Sequence, residues 1–413
     1  MPLRILHVTP YYEQAWAYGG IPRLAATLTH ELARRGHRVT VCTTDVRDGR
    51  ARLAQPSDSG GTARAWPPVM SADGVEVRVF PNVSNHLAYE YQLFIPRGLT
   101  RFLRDHAGEF DVAHVHACHH LPGAVAARYL RRARVPYVLA PNGTAPRLER
   151  RRLAKWIFDT TIGRKVVPGA SRVLAVSDAE RRQLLALGVP DTRIVVLPNP
   201  VDLREFAETP PQGRFRARLG LGPGPIVLYL GKLTPRKRLD VLVDAFASLR
   251  RDSAWLVIAG NDMGGGPQVR RHIRRQRLDH VSRMPGLLIG RERLEALVDA
   301  AVVVYPSQDE VFGLVPFEAL LCGTPVVVAD DSGCGEHVRR MGGGLVTTMG
   351  DASALAAGIS RILDEPDRWK AEAAAAATRV RASFGAAAVC DQMERVYDEI
   401  AGAARPRRRS ASA

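Results

Sequence analysis

The sequence predicts an α/β protein made of two doubly wound domains, each a parallel sheet with helices on both faces. Three observations carry that reading. Short apolar runs alternate with amphipathic helical stretches, first over residues 4–199 and again over residues 225–330; such alternation implies parallel pairing through right-handed crossovers. The two series are separated after Asp202 by ETPPQGR and LGLGPGP, whose prolines and glycines read as a linker. The length of 413 residues accommodates two domains of about 100–200 residues, and 46% apolar with 24% charged residues suits a globular chain.

The first series opens with RILHVTP (4–10). IPRLAATLTHELARRG (21–36) follows, with Leu24, Ala25, Leu28 and Leu32 at helical spacing and Gly36 as a stop. HRVTVCT (37–43) is β-branched and strand-like, as are VEVRVF (75–80), DVAHVH (111–116), YVLAP (137–141), RVLAVS (172–177) and RIVVLPN (193–199). The second series is PIVLYLG (225–231), AWLVIAG (254–260), VSRMPG (281–286), AVVVYPS (301–307) and TPVVVAD (324–330). Apolar runs without alternation are strands covered on both faces. The alanines at 373–377 read as a surface helix, SFGAAAVCDQMERVYDEIAG (383–402) as a closing helix, and 403–413 as a basic flexible tail. In such sheets ligands bind beyond the carboxyl ends of strands, and each motif below lies at one.

The formal charge is +16. Residues 1–205 hold 29 Lys and Arg against 18 Asp and Glu, a net +11; the rest holds 29 against 24, a net +5, with four arginines in ARPRRRSASA. The excess in the first half reads as arginine on solvated faces, or as a surface for an anionic membrane or an acidic substrate. Nucleic acid is not expected, because no groove-reading motif or aromatic interleaving accompanies the charge. The five cysteines, Cys42, Cys118, Cys322, Cys334 and Cys390, form no C-x-x-C pair. That argues for a reducing, cytoplasmic setting without a disulfide framework. MPLRILHVTP enters a strand at once, so no signal peptide is expected, and no run of about 18 apolar residues predicts a membrane span.

The strongest chemical signal is DEVFGLVPFEALLCGTPVV (309–327). VVVYPS is a strand, Gln308 to Leu314 a loop, and Pro316 suits the first turn of a helix that Gly323 ends. Glu310 then lies in the loop and Glu318 in the first helical turn. The amides of Gly313, Leu314 and Val315 are donors at a helix N-terminus, which favours anions and hydroxyl-rich ligands. Taken singly, Glu310 is equally a solvated loop acid and Glu318 a carboxylate on the helix dipole. YLGKLTPRKRLDVLVDAF (229–246) puts Lys232 and Lys237 around a turn before a helix, a pattern that suits a diphosphate or, more plainly, a solvated basic loop. Gly19-Gly20 opens the first helix and lets backbone approach a ligand. It is not G-x-G-x-x-G, so a nicotinamide enzyme is weakly supported. FDVAHVHACHH (110–120) sets His114 and His116 on one strand face, with Cys118, His119 and His120 after them. These read as polar walls of a site or, less readily, as metal ligands. Asp330-Asp331 reads as a helix N-cap before GCGEHV.

Together, YGGIPRLAATLTHELARRGHRVTV, DVAHVH, APNGTAPR, VLPNPVDLREF, GKLTPRKRLDVLVDAF and DEVFGLVPFEALLCGTPVVVADDSGCGEHV resemble a retaining glycosyltransferase of family 4 with the GT-B fold, over nearly all of residues 4–400. The resemblance implies two facing Rossmann-like domains: an acceptor domain over 1–204, completed by a returning helix at 384–402, and a donor domain over 205–383. It implies a nucleoside diphosphate sugar as donor, a saccharide or lipid-linked saccharide as acceptor, and no metal or cofactor. Carried over by position, Lys232 and Lys237 clamp the diphosphate and Glu318 bonds the ribose hydroxyls. Glu310, with the backbone of Phe312, Gly313 and Leu314, holds sugar and phosphates. Gly20 approaches the phosphates, and His116 borders the anomeric carbon. The family often has Arg at Lys232, Gly at Val311 and His at Asn142. Two readings from other classes stand beside it: a nucleotide-sugar binding protein without transfer, and another GT-B enzyme such as an epimerase or phosphorylase. The basic first domain also suggests peripheral contact with anionic lipid at the inner face of the plasma membrane.

Overall fold

A computed structural model describes residues 2–53, 67–146, 152–251, 253–331 and 333–409. The chain divides into two compact units, Met1–Pro200 with Ala386–Ala413, and Val201–Gly385.

The first unit is built on an eight-stranded sheet: β1 (Arg4–Val8), β2 (Arg38–Thr44), β3 (Val69–Met70), β4 (Glu76–Phe80), β5 (Val112–His116), β6 (Tyr137–Ala140), β7 (Arg172–Ala175) and β8 (Ile194–Val196). The order is β3-β4-β2-β1-β5-β6-β7-β8, and every pair is parallel except β3–β4. The unalternating apolar runs are explained by burial on both faces. Leu6 and Val8 of β1 join Val115 and Leu139 in one core; Ile5 joins Leu28, Val41, Val138, Met393 and Tyr397 in the other. The second core exists because the helix Ala386–Arg409 lies on that face, packed against the helix Gly20–Arg34. Arg35 ties it down through Asp391 at 2.7 Å and Glu394 at 2.8 Å. That helix runs to Arg409 rather than giving way to a flexible tail after 402, since Ala401, Ala403 and Ala404 are strong helix formers; residues 410–413 lie outside the described residues.

The second unit holds β9 (Ile226–Leu230), β10 (Trp255–Ala259), β11 (Ser282–Gly286), β12 (Val302–Tyr305), β13 (Val326–Asp330) and β14 (Gly344–Thr348), ordered β11-β10-β9-β12-β13-β14 and all parallel. The stretch read as a linker belongs inside this unit. Gly213 and Gly220 adopt left-handed backbone at the two ends of a short helix, Arg214–Leu219, whose Phe215 is fully buried. Here the prolines and glycines punctuate a folded segment instead of separating two. The alanine run is not a bare surface either: Ala373 and Ala376 are fully buried.

Each sheet reverses its strand order once near its middle, between β1 and β5 and between β9 and β12. A crevice opens at the carboxyl ends of the strands at such a switch point. The histidine segment follows one of these points, and the lysine and glutamate loops follow the other.

Candidate active site

In the second unit, three successive strand-end loops are knitted together. After β9 comes a turn over Pro235–Lys237, and the carbonyl of Arg236 accepts from the amide of Gln308 at 2.8 Å. The Arg236 guanidinium donates to the Asp309 carbonyl at 3.0 Å. The Asp309 amide donates to the Asp331 carboxylate at 2.7 Å, and the Cys334 amide donates to the Glu310 carbonyl at 2.9 Å. Asp309 sits at φ 53°, a left-handed conformation that aspartate tolerates. Asp330 pairs with Arg339. The two aspartates thus carry loop and surface contacts; the N-cap expected of them falls at the start of the helix Gly333–Met341, beside Ser332, which lies outside the described residues.

These loops bring Lys237 and Glu310 into an ion pair. Lys237 Nζ also donates to the Tyr305 hydroxyl at 2.8 Å and lies 4.6 Å from the centre of that ring. Tyr305, the last residue of β12, stacks on Tyr229 of β9 at 5.9 Å, and burial pushes both phenols up. Burial pushes the Glu310 carboxyl up as well, but the neighbouring Lys237 ammonium outweighs it and holds the group below its ordinary value. The result is a charged, hydrogen-bonded cluster at the switch point. Lys232 follows Gly231 at the end of β9, and its carbonyl accepts from the Tyr229 hydroxyl at 2.8 Å.

Gly313 precedes the helix Leu314–Leu321 at φ 74°. A Cβ there would stand 3.0 Å from Cys334 Sγ and 3.2 Å from Tyr305. The Phe312 side chain is buried against Phe317, His337 and Phe384, which fixes its backbone at the helix entrance. Glu318 is the fifth residue of this helix, so it lies in the second turn and not the first. It is 1% exposed and pairs with Arg293 from the helix Gly290–Asp299. Among the described contacts, Glu318 thus meets Arg293 and not the Lys237–Glu310 cluster. Beside the cluster is a hollow of about 410 Å³ lined by Thr234, Arg236, Arg238, Asp240, His272 and Gln308; none of the four expected charged residues lines it.

In the first unit, Gly20 begins its helix, and Gly19 before it takes φ 98°. His116 ends β5 and is completely buried. His7, which sequence reasoning missed, joins it: His7 Nδ1 and His116 Nε2 are 2.9 Å apart, and His114 stacks on His116 at 4.2 Å. One nitrogen from each of the three lies within 4.8 Å of the others. His114 Nδ1 is 2.7 Å from the Tyr397 hydroxyl. Burial, and then the neighbouring rings, lower the pKa of all three, that of His116 to about 3 through burial first and His120 second. The other residues of the segment go elsewhere. His120 caps the helix Leu121–Arg132 by accepting from Gly123 at 3.0 Å, and His119 pairs with Asp159 at 3.0 Å. Asn142 takes left-handed backbone, and the adjoining Gly143 amide donates to the fully buried Glu180 at 2.6 Å. Arg147 lies outside the described residues.

The missed residues carry no local signal. Tyr305 looks like one more core residue of a strand, while Arg293 reaches Glu318 from a distant position without a motif.

Two α/β units with parallel sheets, and charged loops at a switch point, define an enzyme of the two-domain glycosyl-transfer class. Comparison with known proteins agrees. Residues 18–205 match the profile of Glycosyltransferase Family 4, and residues 212–379 match Glycosyl transferases group 1. The D-inositol 3-phosphate glycosyltransferase of Kineococcus radiotolerans is 32% identical, over 92% of this chain and 90% of its own. That of Nocardia farcinica is 31% identical over 85% and 78%. Among solved structures, Anabaena HepE in complex with UDP superposes with a TM-score of 0.71 at 20% identity, covering 96% of this chain and all of its own. Sucrose-phosphate synthase from Thermosynechococcus elongatus gives 0.71 at 22%, over 97% and 100%. The chain belongs to the group 1 glycosyltransferases of GT-B fold, and it is a glycosyltransferase.

Proposed function

We propose that the protein moves a sugar, with retention of anomeric configuration and without a metal ion, from a nucleoside diphosphate sugar to a saccharide or lipid-linked saccharide. The observation that carries this reading is the Lys237–Glu310–Tyr305 cluster beside Gly313 and the start of a helix. An ammonium held there is placed to neutralise charge developing on a leaving diphosphate, a preorganised effect that contributes several kcal/mol. Lys232 adds a second cation, Glu310 accepts from sugar hydroxyls, and the backbone at Phe312, Gly313 and Leu314 supplies donors. The resemblance further assigns Gly20, at a helix start, and His116, at a strand end, to the donor site. In the front-face route, the acceptor oxygen bonds the anomeric carbon as the bond to the phosphate oxygen breaks. A phosphate oxygen takes the acceptor proton, so no protein base or metal is needed. Helix-start and ammonium groups also suit a phosphorylated acceptor, and the relatives named for D-inositol 3-phosphate make that compound the first acceptor to try.

The test is a panel of UDP- and ADP-sugars with and without acceptor, read by product analysis after removal of divalent ions. Transfer with retained configuration supports the reading. Binding without transfer turns it into the binding-protein alternative, and isomerised sugar into the epimerase.

The net +11 of residues 1–205 further suggests contact with anionic lipid at the inner face of the plasma membrane. Its best-placed surface is the helix Arg152–Thr160, where Leu153, Trp156 and Ile157 are exposed, with Ile162 beyond it. No helix among the described residues is long and apolar enough to cross a membrane. Co-sedimentation with anionic but not neutral vesicles is the expected result; equal recovery with both removes the idea.

A further inference from the structure

Glu318 presents a physical problem. It is 1% exposed, and a carboxylate removed from water costs several kcal/mol unless it is paired. Its partner is Arg293, whose side chain is 7% exposed. Arg293 is held from the other side by Glu205, in the turn Leu203–Phe206. The guanidinium also lies 5.8 Å from the centre of the Phe206 ring. One nitrogen therefore addresses Glu318 and another addresses Glu205. A planar fork fixed at two points is a rigid mount, unlike a single flexible ammonium.

We propose that Arg293 is the positioning residue for Glu318: its guanidinium holds that carboxylate in one orientation, so that the carboxylate accepts from the ribose hydroxyls of a nucleotide donor. This rests on the reading of Glu318 as a ribose acceptor. Arg293 itself touches no reacting atom in this scheme. Its effect is on nucleotide discrimination, through the direction of another side chain. Glu205 supports the mount more weakly, because its side chain is 31% exposed and water can replace it.

The experiment compares binding of UDP, or of ADP if ADP binds more tightly, with binding of its 2′,3′-dideoxy analogue by titration calorimetry. The wild type is expected to prefer the ribonucleotide about tenfold or more, in line with a charged hydrogen bond. Glu318→Gln should remove most of that preference. Arg293→Met should remove it equally. The ratio of ribonucleotide to dideoxynucleotide affinity is a readout that a merely structural role, which weakens both alike, would not move. Arg293→Lys restores the charge without the fork and should fall between. Should Arg293→Met lose its fold, Arg293→Lys with Glu205→Gln carries the test, expected to reduce the preference severalfold. Full preference in Arg293→Met or Arg293→Lys, where Glu318→Gln has lost it, overturns the role of Arg293. Full preference in Glu318→Gln overturns the ribose reading itself, and the inference with it.

Discussion

Lys237 sits over Tyr305: the ammonium donates to the phenol oxygen at 2.8 Å while standing 4.6 Å from the ring centre. The ring thus supplies both a hydrogen-bond acceptor and a cation–π face. With Glu310 on another side, the ammonium has one orientation before any donor arrives, which is the condition for preorganised stabilisation of a leaving group.

Loss of the charge should therefore fall on turnover. Lys237→Met is expected to lower kcat by roughly 100–1,000-fold, the scale for a preorganised donor at a developing anion. Tyr305→Phe keeps the ring and loses the acceptor, so about tenfold is expected from one hydrogen bond. Steady-state kinetics on the active donor measures both. Equal kcat in Lys237→Met and wild type would remove Lys237 from the mechanism.

Much of this site was legible in the sequence for a local reason. Lys232 and Lys237 flank one turn, and Glu310, Gly313 and Pro316 mark one loop and helix start, so spacing alone predicts their neighbourhood. The buried parallel strands were legible too, as unbroken apolar runs such as IVLYL and VVVY. β3 was missed because it has two exposed residues, and β14 because GLVTT is only half-buried. Arg293 was illegible because its partners lie 25 and 88 positions away, joined only by folding. Glu318 moved from the first to the second turn because the helix begins at Leu314, two residues before Pro316.

The histidine trio makes the first unit acid-sensitive. Folded pKa values of His7, His114 and His116 are depressed by burial, so the unfolded chain binds more protons below the usual value of 6.5. Stability is then fully present above that value and lost as pH falls below it, at about 1.4 kcal/mol per histidine per pH unit. Urea denaturation between pH 7 and pH 4.5 should show this slope. His7→Phe, which keeps a ring on β1, should flatten it by about a third. An unchanged slope would mean that His7 protonates in the folded state.

Glu180 works in the opposite direction. Its carboxyl is fully buried and raised to about 7, with burial raising it and the amides of Gly143 and Val176 pulling it back. An acid whose folded pKa exceeds its unfolded value near 4.5 gives most stability at low pH, and loses it as pH rises through 4.5 to 7. The size is about 3 kcal/mol. Glu180→Gln abolishes this titration and forfeits one amide contact. Its stability relative to wild type should therefore rise by roughly 2–3 kcal/mol between pH 5 and pH 8, read by denaturation at each pH. A constant difference between the two proteins would show that Glu180 keeps an ordinary pKa.

Gly260 offers a test of how tightly the donor-side loops depend on their strands. It follows β10 at φ 148°, and a Cβ there would fall 1.7 Å from the carbonyl oxygen of Gly231. Gly231 is the residue that leads from β9 into Lys232 and the Lys237 turn. Gly260→Ala must push that backbone aside, and backbone cannot yield as a side-chain tip can. Gly213→Ala is the control: its φ is 91°, but nothing lies within 4 Å of the added carbon. The control should cost only the left-handed strain of about 1–2 kcal/mol and leave nucleotide affinity intact. Gly260→Ala should cost more than about 3 kcal/mol, the range of serious overpacking, and weaken nucleotide binding together with stability. Thermal unfolding with and without nucleotide separates the two outcomes. Wild-type affinity in Gly260→Ala would mean that the Lys232–Lys237 loop holds its geometry independently of the strand that leads into it.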